Sequence, residues 1–210
     1  MLFRSGCGRY ERPAPGPLAL KQAARLEGKK EKEAPAGDGE SWGDAFELLV
    51  KFEINRPDTG RRRLQRPYVA VWVEDKDGQP VRTLVLWVQA TQHGQRWVPD
   101  LRRWYRGDQS RRLVDDTDLV ATIARPTRQP GKYEVIWDGK DDQGKPVARG
   151  EYTLSIEAAR EHGTYQIIRQ AIRLDDKPFA KKDLKGNIEI KAASVEGRLK
   201  TGTPEGDRGR

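Results

Sequence analysis

The sequence is short of the residues on which most recognisable chemistry depends. Among its 210 residues one is Cys, at position 7, and two are His, at 93 and 162. A single thiol excludes an internal disulfide framework and any Cys-based zinc site, so cysteine pairing says nothing of the redox compartment. There is no Gly-x-Ser-x-Gly and no third residue placed to orient a His, so hydrolase chemistry on Ser or Thr has no support. No apolar run approaches the ~20 residues that span a bilayer, and no charged start leads into an apolar signal segment. Charge of one sign is not concentrated either. The net +8 divides as +2 over residues 1–40, +4 over 41–197 and +2 over 198–210. Spread so evenly, the excess does not make the basic face that nucleic acid requires, and nucleic acid is not an expected partner.

Aromatic residues are nearly missing from the front of the chain. Residues 1–40 hold only Phe3 and Tyr10, whereas residues 41–197 hold all six Trp. The stretch Tyr10–Pro17 is rich in proline and Lys29–Lys32 mixes Lys with Glu, a composition too polar to offset chain ordering. Residues 1–40 are therefore expected to be a disordered linker, 41–197 one β-sandwich domain, and 198–210 a disordered tail. The opening Met1-Leu2-Phe3-Arg4-Ser5 has the look of a truncated or artefactual start, which would place any signal peptide or upstream domain outside this sequence. Cys7 follows Arg4-Ser5-Gly6, where a lipoprotein cleavage site wants an apolar residue, so a bland exposed thiol is the expected reading.

What is abundant is a two-residue period. Phe46, Leu48, Val50, Phe52 and Ile54 alternate with Glu47, Leu49, Lys51 and Glu53, the pattern of a strand with one buried face. Tyr68–Glu74 sets Val69, Val71 and Val73 on one face and Ala70 and Trp72 on the other, which predicts cover on both sides. Val81–Val88, Lys132–Trp137, Tyr152–Ala158, Thr164–Leu174 and Asn187–Val195 complete the set, the last with Ile188, Ile190 and Ala192 on one parity. The expected fold is all-β, an immunoglobulin-like antiparallel sandwich of about seven to nine strands with a short helical insertion. Asp75-Lys76-Asp77-Gly78-Gln79-Pro80 has the chemistry of a hairpin turn, and Lys140–Val147 repeats its Asp, Gly, Pro and Val order. The insertion lies between Gln89 and Pro130. There Pro99 suits a first helical turn, Leu101, Trp104 and Tyr105 share one helical face, and Leu119, Val120 and Ile123 suggest a further turn.

Four groups of residues are candidates for function. Asp138, Asp141 and Asp142 put three carboxylates within five positions, enough oxygen to suggest calcium. Counted from Asp138, however, an EF-hand loop would have Lys140 at position three and Arg149 at twelve, so turn-forming roles are expected. His93 and His162 lie in different loops, and surface or turn roles are expected for both. Arg61-Arg62-Arg63-Leu64-Gln65-Arg66 reads as a solvated loop diluted by nearby acids. Arg102, Arg103, Arg106, Arg111 and Arg112, interleaved with Trp104 and Tyr105, form a second basic cluster able to stack on a sugar, a base or a flavin ring, although Trp97 and Trp104 equally suit the core of the insertion.

Several motifs occur together and in order. They are Arg66-Pro67-Tyr68-Val69-Ala70-Val71-Trp72-Val73-Glu74, Val81-Arg82-Thr83-Leu84, Leu101-Arg102-Arg103-Trp104-Tyr105, Trp137-Asp138-Gly139-Lys140-Asp141-Asp142 and Ala158-Ala159-Arg160-Glu161-His162-Gly163-Thr164-Tyr165. Over Phe46–Val195 the chain resembles a bacterial family of predicted periplasmic domains of unknown function. Members of that family stand alone behind a signal peptide, or as C-terminal domains of FAD:protein FMN transferases, which attach FMN to Thr of extracytoplasmic redox proteins. The resemblance implies an exported protein in a setting of flavin-linked electron transfer. One departure is Thr122-Ile123-Ala124-Arg125-Pro126-Thr127, where family members tend to carry a Ser-Gly-Ala-Thr-Arg-Pro-like segment. Trp137–Leu154 is also similar to the immunoglobulin-like domain of flagellar hook-capping proteins, which agrees with the sandwich and implies nothing about flagella.

The transferase's own nucleotide- and metal-binding region has no counterpart in this sequence. The leading expectation is a non-catalytic binding or scaffolding module that holds no cofactor or metal of its own. Its expected partner is a flavin transferase or a flavinylated redox protein, and its expected location is periplasmic. The alternatives are the C-terminal fragment of a transferase with its chemistry upstream, or a flavin- or sugar-binding domain. Ligand or partner contact is expected at Trp97, Arg102, Trp104, Tyr105, Arg160, Glu161 and His162.

Overall fold

The computed structural model describes residues 41–42, 45–56, 66–89, 92–115, 117–160 and 163–200. The linker expected over residues 1–40, residues 201–210 of the expected tail, Arg61–Gln65, Glu161 and His162 lie outside the described residues, whereas Arg198 and Leu199, expected in that tail, continue the last strand by pairing with Glu47 and Phe46. The strands are β1 (Phe46–Ile54), β2 (Tyr68–Asp75), β3 (Pro80–Trp87), β4 (Gly131–Trp137), β5 (Gly150–Ala159), β6 (Tyr165–Leu174), β7 (Phe179–Leu184) and β8 (Ile190–Leu199). They form two four-stranded antiparallel sheets, ordered β4-β1-β8-β7 and β3-β2-β5-β6. The protein is thus an all-β sandwich, and the period-two reading located seven of its eight strands.

The alternation explains the core. Leu48, Val50, Phe52 and Ile54 of β1 meet Val69, Val71 and Val73 of β2 and Leu154, Ile156 and Ala158 of β5 between the sheets, all buried. Aromatic rings close both ends of this layer. Trp137 lies 5.9 Å from Trp42 at one end, and Trp87 packs edge-on to Tyr133 at 4.7 Å at the other. Full burial of each such side chain is worth about 1.5–3 kcal/mol, which is why this layer dominates the stability.

Two readings are corrected by the ladder. Strand β7 was not expected, because Phe-Ala-Lys-Lys-Asp-Leu carries little apolar signal; it is an edge strand paired with β8 alone, and its lysines suit an edge that must resist pairing with other chains. In β8 the expected parity of Ile188, Ile190 and Ala192 breaks. The register shifts between Glu53 and Ile54, whose partners are Ala192 and Ile190, so the strand bulges at Lys191. Ile190, Ala193 and Val195 consequently face the core, while Ile188 is exposed.

The similarity of the two Asp-Gly turns is physical. Asp75 Oδ1 accepts from the backbone N–H of Asp77 and Gln79 at 2.9 and 2.8 Å. Asp141 Oδ1 accepts from Gln143 and Lys145 at 2.9 and 2.8 Å. Gly78 and Gly144 then take φ of 78° and 79°, a region open to Gly at no steric cost. A Cβ at Gly144 would meet nothing within 4 Å, so Gly144→Ala isolates the backbone contribution. It is expected to cost about 1–2 kcal/mol, read as a lower urea midpoint at unchanged slope.

The insertion between β3 and β4 comprises α1 (Gln92–Gln95), a 3-10 turn (Val98–Asp100), α2 (Arg102–Arg112) and α3 (Leu119–Ile123). Asp118 caps α3, its Oδ1 accepting from Val120 and Ala121. The insertion lies on the outer face of the β3-β2-β5-β6 sheet. Val98, Leu101, Trp104 and Leu119 bury a second apolar cluster with Tyr68, Ala70, Trp72, Leu86, Val88 and Ala159. This cover is why six consecutive residues of β2, Tyr68–Val73, are all buried, as the apolar residues on both of its faces predict.

Candidate functional site

The outer face of this sheet carries polar groups that the alternation of β5 places toward solvent, but α2 covers them. Glu157, fully buried, points at the start of α2. The residue before that helix, Leu101, makes no side-chain capping bond. Glu157 supplies it from the strand below: its two carboxylate oxygens accept the backbone N–H of Arg103 and Trp104, each at 2.9 Å. A negative group at a helix N-terminus is favoured by the helix dipole and by the unpaired N–H groups there. The Tyr165 phenol is a neighbour of the same carboxylate. Burial pushes the Glu157 carboxyl above its usual range, against these hydrogen bonds. Burial and then the neighbouring Glu157 carboxylate raise the Tyr165 phenol.

Beside it lies Glu74, 3% exposed. Its Oε1 accepts from Trp72 Nε1 at 2.9 Å and Arg103 Nε at 2.8 Å, and its Oε2 from Arg103 at 2.7 Å and Arg169 at 2.9 Å. Burial alone would raise this carboxyl, but the bonds from Arg103 and Trp72 and the charges of Arg103 and Arg169 outweigh it and hold it below its usual value. A depressed folded-state value stabilises above the unfolded value near 4.5 and loses that contribution as the pH falls through the folded value. Glu74→Gln is therefore expected to flatten the acid limb of the stability profile relative to the wild type, measured by urea unfolding between pH 6 and roughly pH 3. Parallel acid limbs would contradict this.

At the other end of α2, Asp108 is shared by Arg111 and Arg112 at 2.7 Å each. Arg111 also reaches Asp115 at 3.2 Å and the Thr117 carbonyl at 2.6 Å, and Arg112 reaches Asp118 at 2.8 Å. Gln143, from the turn between β4 and β5, donates to Asp115 at 2.7 Å and ties that turn to the helix. Arg103, Arg111 and Arg112 of the expected basic cluster are therefore consumed by internal ion pairs.

The three Asp residues of that turn diverge. Asp138 accepts the N–H of Lys140 at 3.3 Å, Asp141 closes the turn, and Asp142 accepts the N–H of Thr83 on β3 at 3.1 Å. Burial raises the Asp142 carboxyl. Among the described residues no group of three His, Cys, Asp or Glu side chains is placed to hold a metal ion.

At the rim of the helical layer is a half-open pocket of about 210 Å³, lined by Trp97, Asp100, Arg102, Arg160, Thr164 and Tyr165. Of the expected contact residues it brings together Trp97, Arg102 and Arg160. Arg160 is held by Glu189, whose two carboxylate oxygens each lie 2.8 Å from Arg160 Nε, and Thr164 donates to the same carboxylate. Gly163 makes the tight turn between β5 and β6 possible: a Cβ there would come 2.7 Å from that of Arg160. Arg102 lays its guanidinium over the Tyr165 ring, 4.7 Å from the centroid.

Trp104 and Tyr105 do not line this pocket. Trp104 is 2% exposed in the second apolar cluster, its Nε1 donating to Thr83 Oγ1 at 3.1 Å, and Tyr105 packs against the same cluster half-buried. Glu161 and His162 fall between the pocket residues Arg160 and Gly163 in the sequence but outside the described residues. His93 belongs to α1. Thr164, Tyr165, Glu157 and Glu189 escaped sequence reasoning because polar residues in strand alternation read as solvated. The one signal was Trp72, an aromatic on the same outward face.

Among the described residues no helix is long and apolar enough to cross a membrane. No curated protein matches the sequence. The model of one family, described as "Predicted periplasmic protein (DUF2271)", matches residues 47–192, which takes in the β3-β2-β5-β6 sheet, the helical layer, the rim pocket and the other sheet except most of β8. The chain belongs to this DUF2271 family of predicted periplasmic proteins.

Proposed function

We propose that the protein is a non-catalytic, extracytoplasmic binding or scaffolding module that recognises its partner through the rim pocket of its helix-covered sheet. The setting that the family resemblance implies is flavin-linked electron transfer, with a flavin transferase or a flavinylated redox protein as partner. The observation that carries this reading is the pocket, where Arg102 is held in place by an aromatic ring at the edge of a rigid helical layer. The buried acids nearby, Glu74, Glu157 and Glu189, are each held by structural donors, which suits a scaffold better than proton transfer. Size also bears on the ligand. Pockets for whole small molecules run to roughly 300–1,000 Å³, so about 210 Å³ fits one functional group of a larger partner rather than a flavin.

The test is retention of partners from a bacterial envelope extract by the immobilised full chain, with flavin fluorescence detected in denaturing gels. A covalently flavin-bearing protein retained by the wild type supports the reading. Retention of no such protein overturns the redox setting, and turnover of a substrate by the purified chain alone overturns the non-catalytic role.

A further inference from the structure

The arginines of α2 divide into two kinds. Arg103, Arg111 and Arg112 are each within 2.7 Å of a carboxylate oxygen. Arg102 and Arg106 are exposed and have no ion-pair partner among the described residues. Four residues apart, they share one helix face. Arg102 is nevertheless held: it stacks on Tyr165, a ring packed against the second apolar cluster. Its fork of donors therefore reaches the pocket with little entropy left to lose on binding. Arg96 lies close by, 4.9 Å over the Trp97 ring. Among the described residues the acid that lines the pocket is Asp100.

We propose that this edge receives an acidic segment of a protein partner, with one Asp or Glu carboxylate seated against Arg102 in the pocket and a second acid facing Arg106. The inference rests on the binding-module reading and names the chemistry of its partner. Three features select it. Charge complementarity calls for an anion. A volume of about 210 Å³ takes a single group, holding roughly seven waters at ~30 Å³ each. Asp100 on the wall repels a phosphate dianion more than a carboxylate, which carries a single charge.

The probe is a fluorescently labelled peptide of alternating Glu and Ala, ten residues long, titrated with the full chain at low salt and followed by anisotropy. Its Gln-for-Glu counterpart and inorganic phosphate are the competitors. Binding is expected to weaken about tenfold or more in Arg102→Gln, the order of loss when one member of a close charge pair is removed, and less in Arg106→Gln. Lys51→Gln, on the far sheet and paired with Glu134 at 3.4 Å, should leave binding unchanged. All three sites are exposed, and equal melting temperatures confirm folding. Unchanged affinity in Arg102→Gln, equal binding of the Gln peptide, or displacement of the peptide by phosphate at lower concentration than by unlabelled peptide would each overturn the proposal. The two readings separate cleanly. A flavin-bearing partner still retained by Arg102→Gln sinks the pocket alone, and peptide binding without such a partner sinks the redox setting alone.

Discussion

Trp104→Ala is expected to lower folding stability by about 3–5 kcal/mol, the range for removing a buried Trp. The side chain is 2% exposed beneath α2. Deleting it empties the contact between helix and sheet and leaves the Thr83 hydroxyl without its indole partner. For a domain of this size that corresponds to a fall in melting temperature of roughly 10 °C. Trp104→Phe keeps a ring in the cluster and removes the Nε1 bond, at an expected cost of about 1 kcal/mol. Because Trp104 does not line the pocket, Trp104→Phe should bind the acidic peptide as the wild type does. A wild-type melting temperature in Trp104→Ala would show that the helical layer does not depend on this anchor. A selective loss of binding in Trp104→Phe would move the recognition surface onto the indole itself.

Glu157→Ala is the second large effect expected, at about 3–5 kcal/mol. Two backbone N–H groups of α2 lose their acceptor together, and each buried orphan costs about 1–3 kcal/mol. Amide exchange separates this from a general loss of packing. Exchange at Arg103 and Trp104 should accelerate more than exchange in the β1-β8 ladder, which lies in the other sheet. Uniform acceleration would contradict the capping role. The pH dependence has the opposite sign to that of Glu74. The folded-state value of Glu157 is raised, so its contribution is fully present below about pH 4.5 and is lost as the pH rises through the raised value. Glu157→Gln removes that loss, and the gap in stability between variant and wild type should narrow as the pH rises from 4 to 8. A gap that widens over this interval would mean that the carboxylate is better solvated than its burial implies.

Sequence alone determined the sandwich, the interior faces of β1 and β2, the apolar face of α2, and the pair of Asp-Gly turns. Each of these follows from local periodicity or from the backbone freedom of one residue, and strand alternation or a positive φ acts over a few positions. It also carried a hint of the helical layer, since Trp72 on the outward parity of β2 demanded cover. Tertiary structure decided the rest. It paired the polar β7 with β8, because an edge strand is selected by the open backbone beside it rather than by its own hydrophobicity. It flipped the parity of β8 through a bulge at Lys191. It moved Trp104 from candidate contact to anchor, and converted Glu157, a residue of polar alternation, into the cap of a helix some fifty residues earlier in the chain. Arg102 and Arg103 show the limit of local reading most clearly. They are adjacent and chemically identical, yet successive residues on a helix point about 100° apart. One therefore turns down onto Glu74, while the other turns outward over Tyr165 to the pocket.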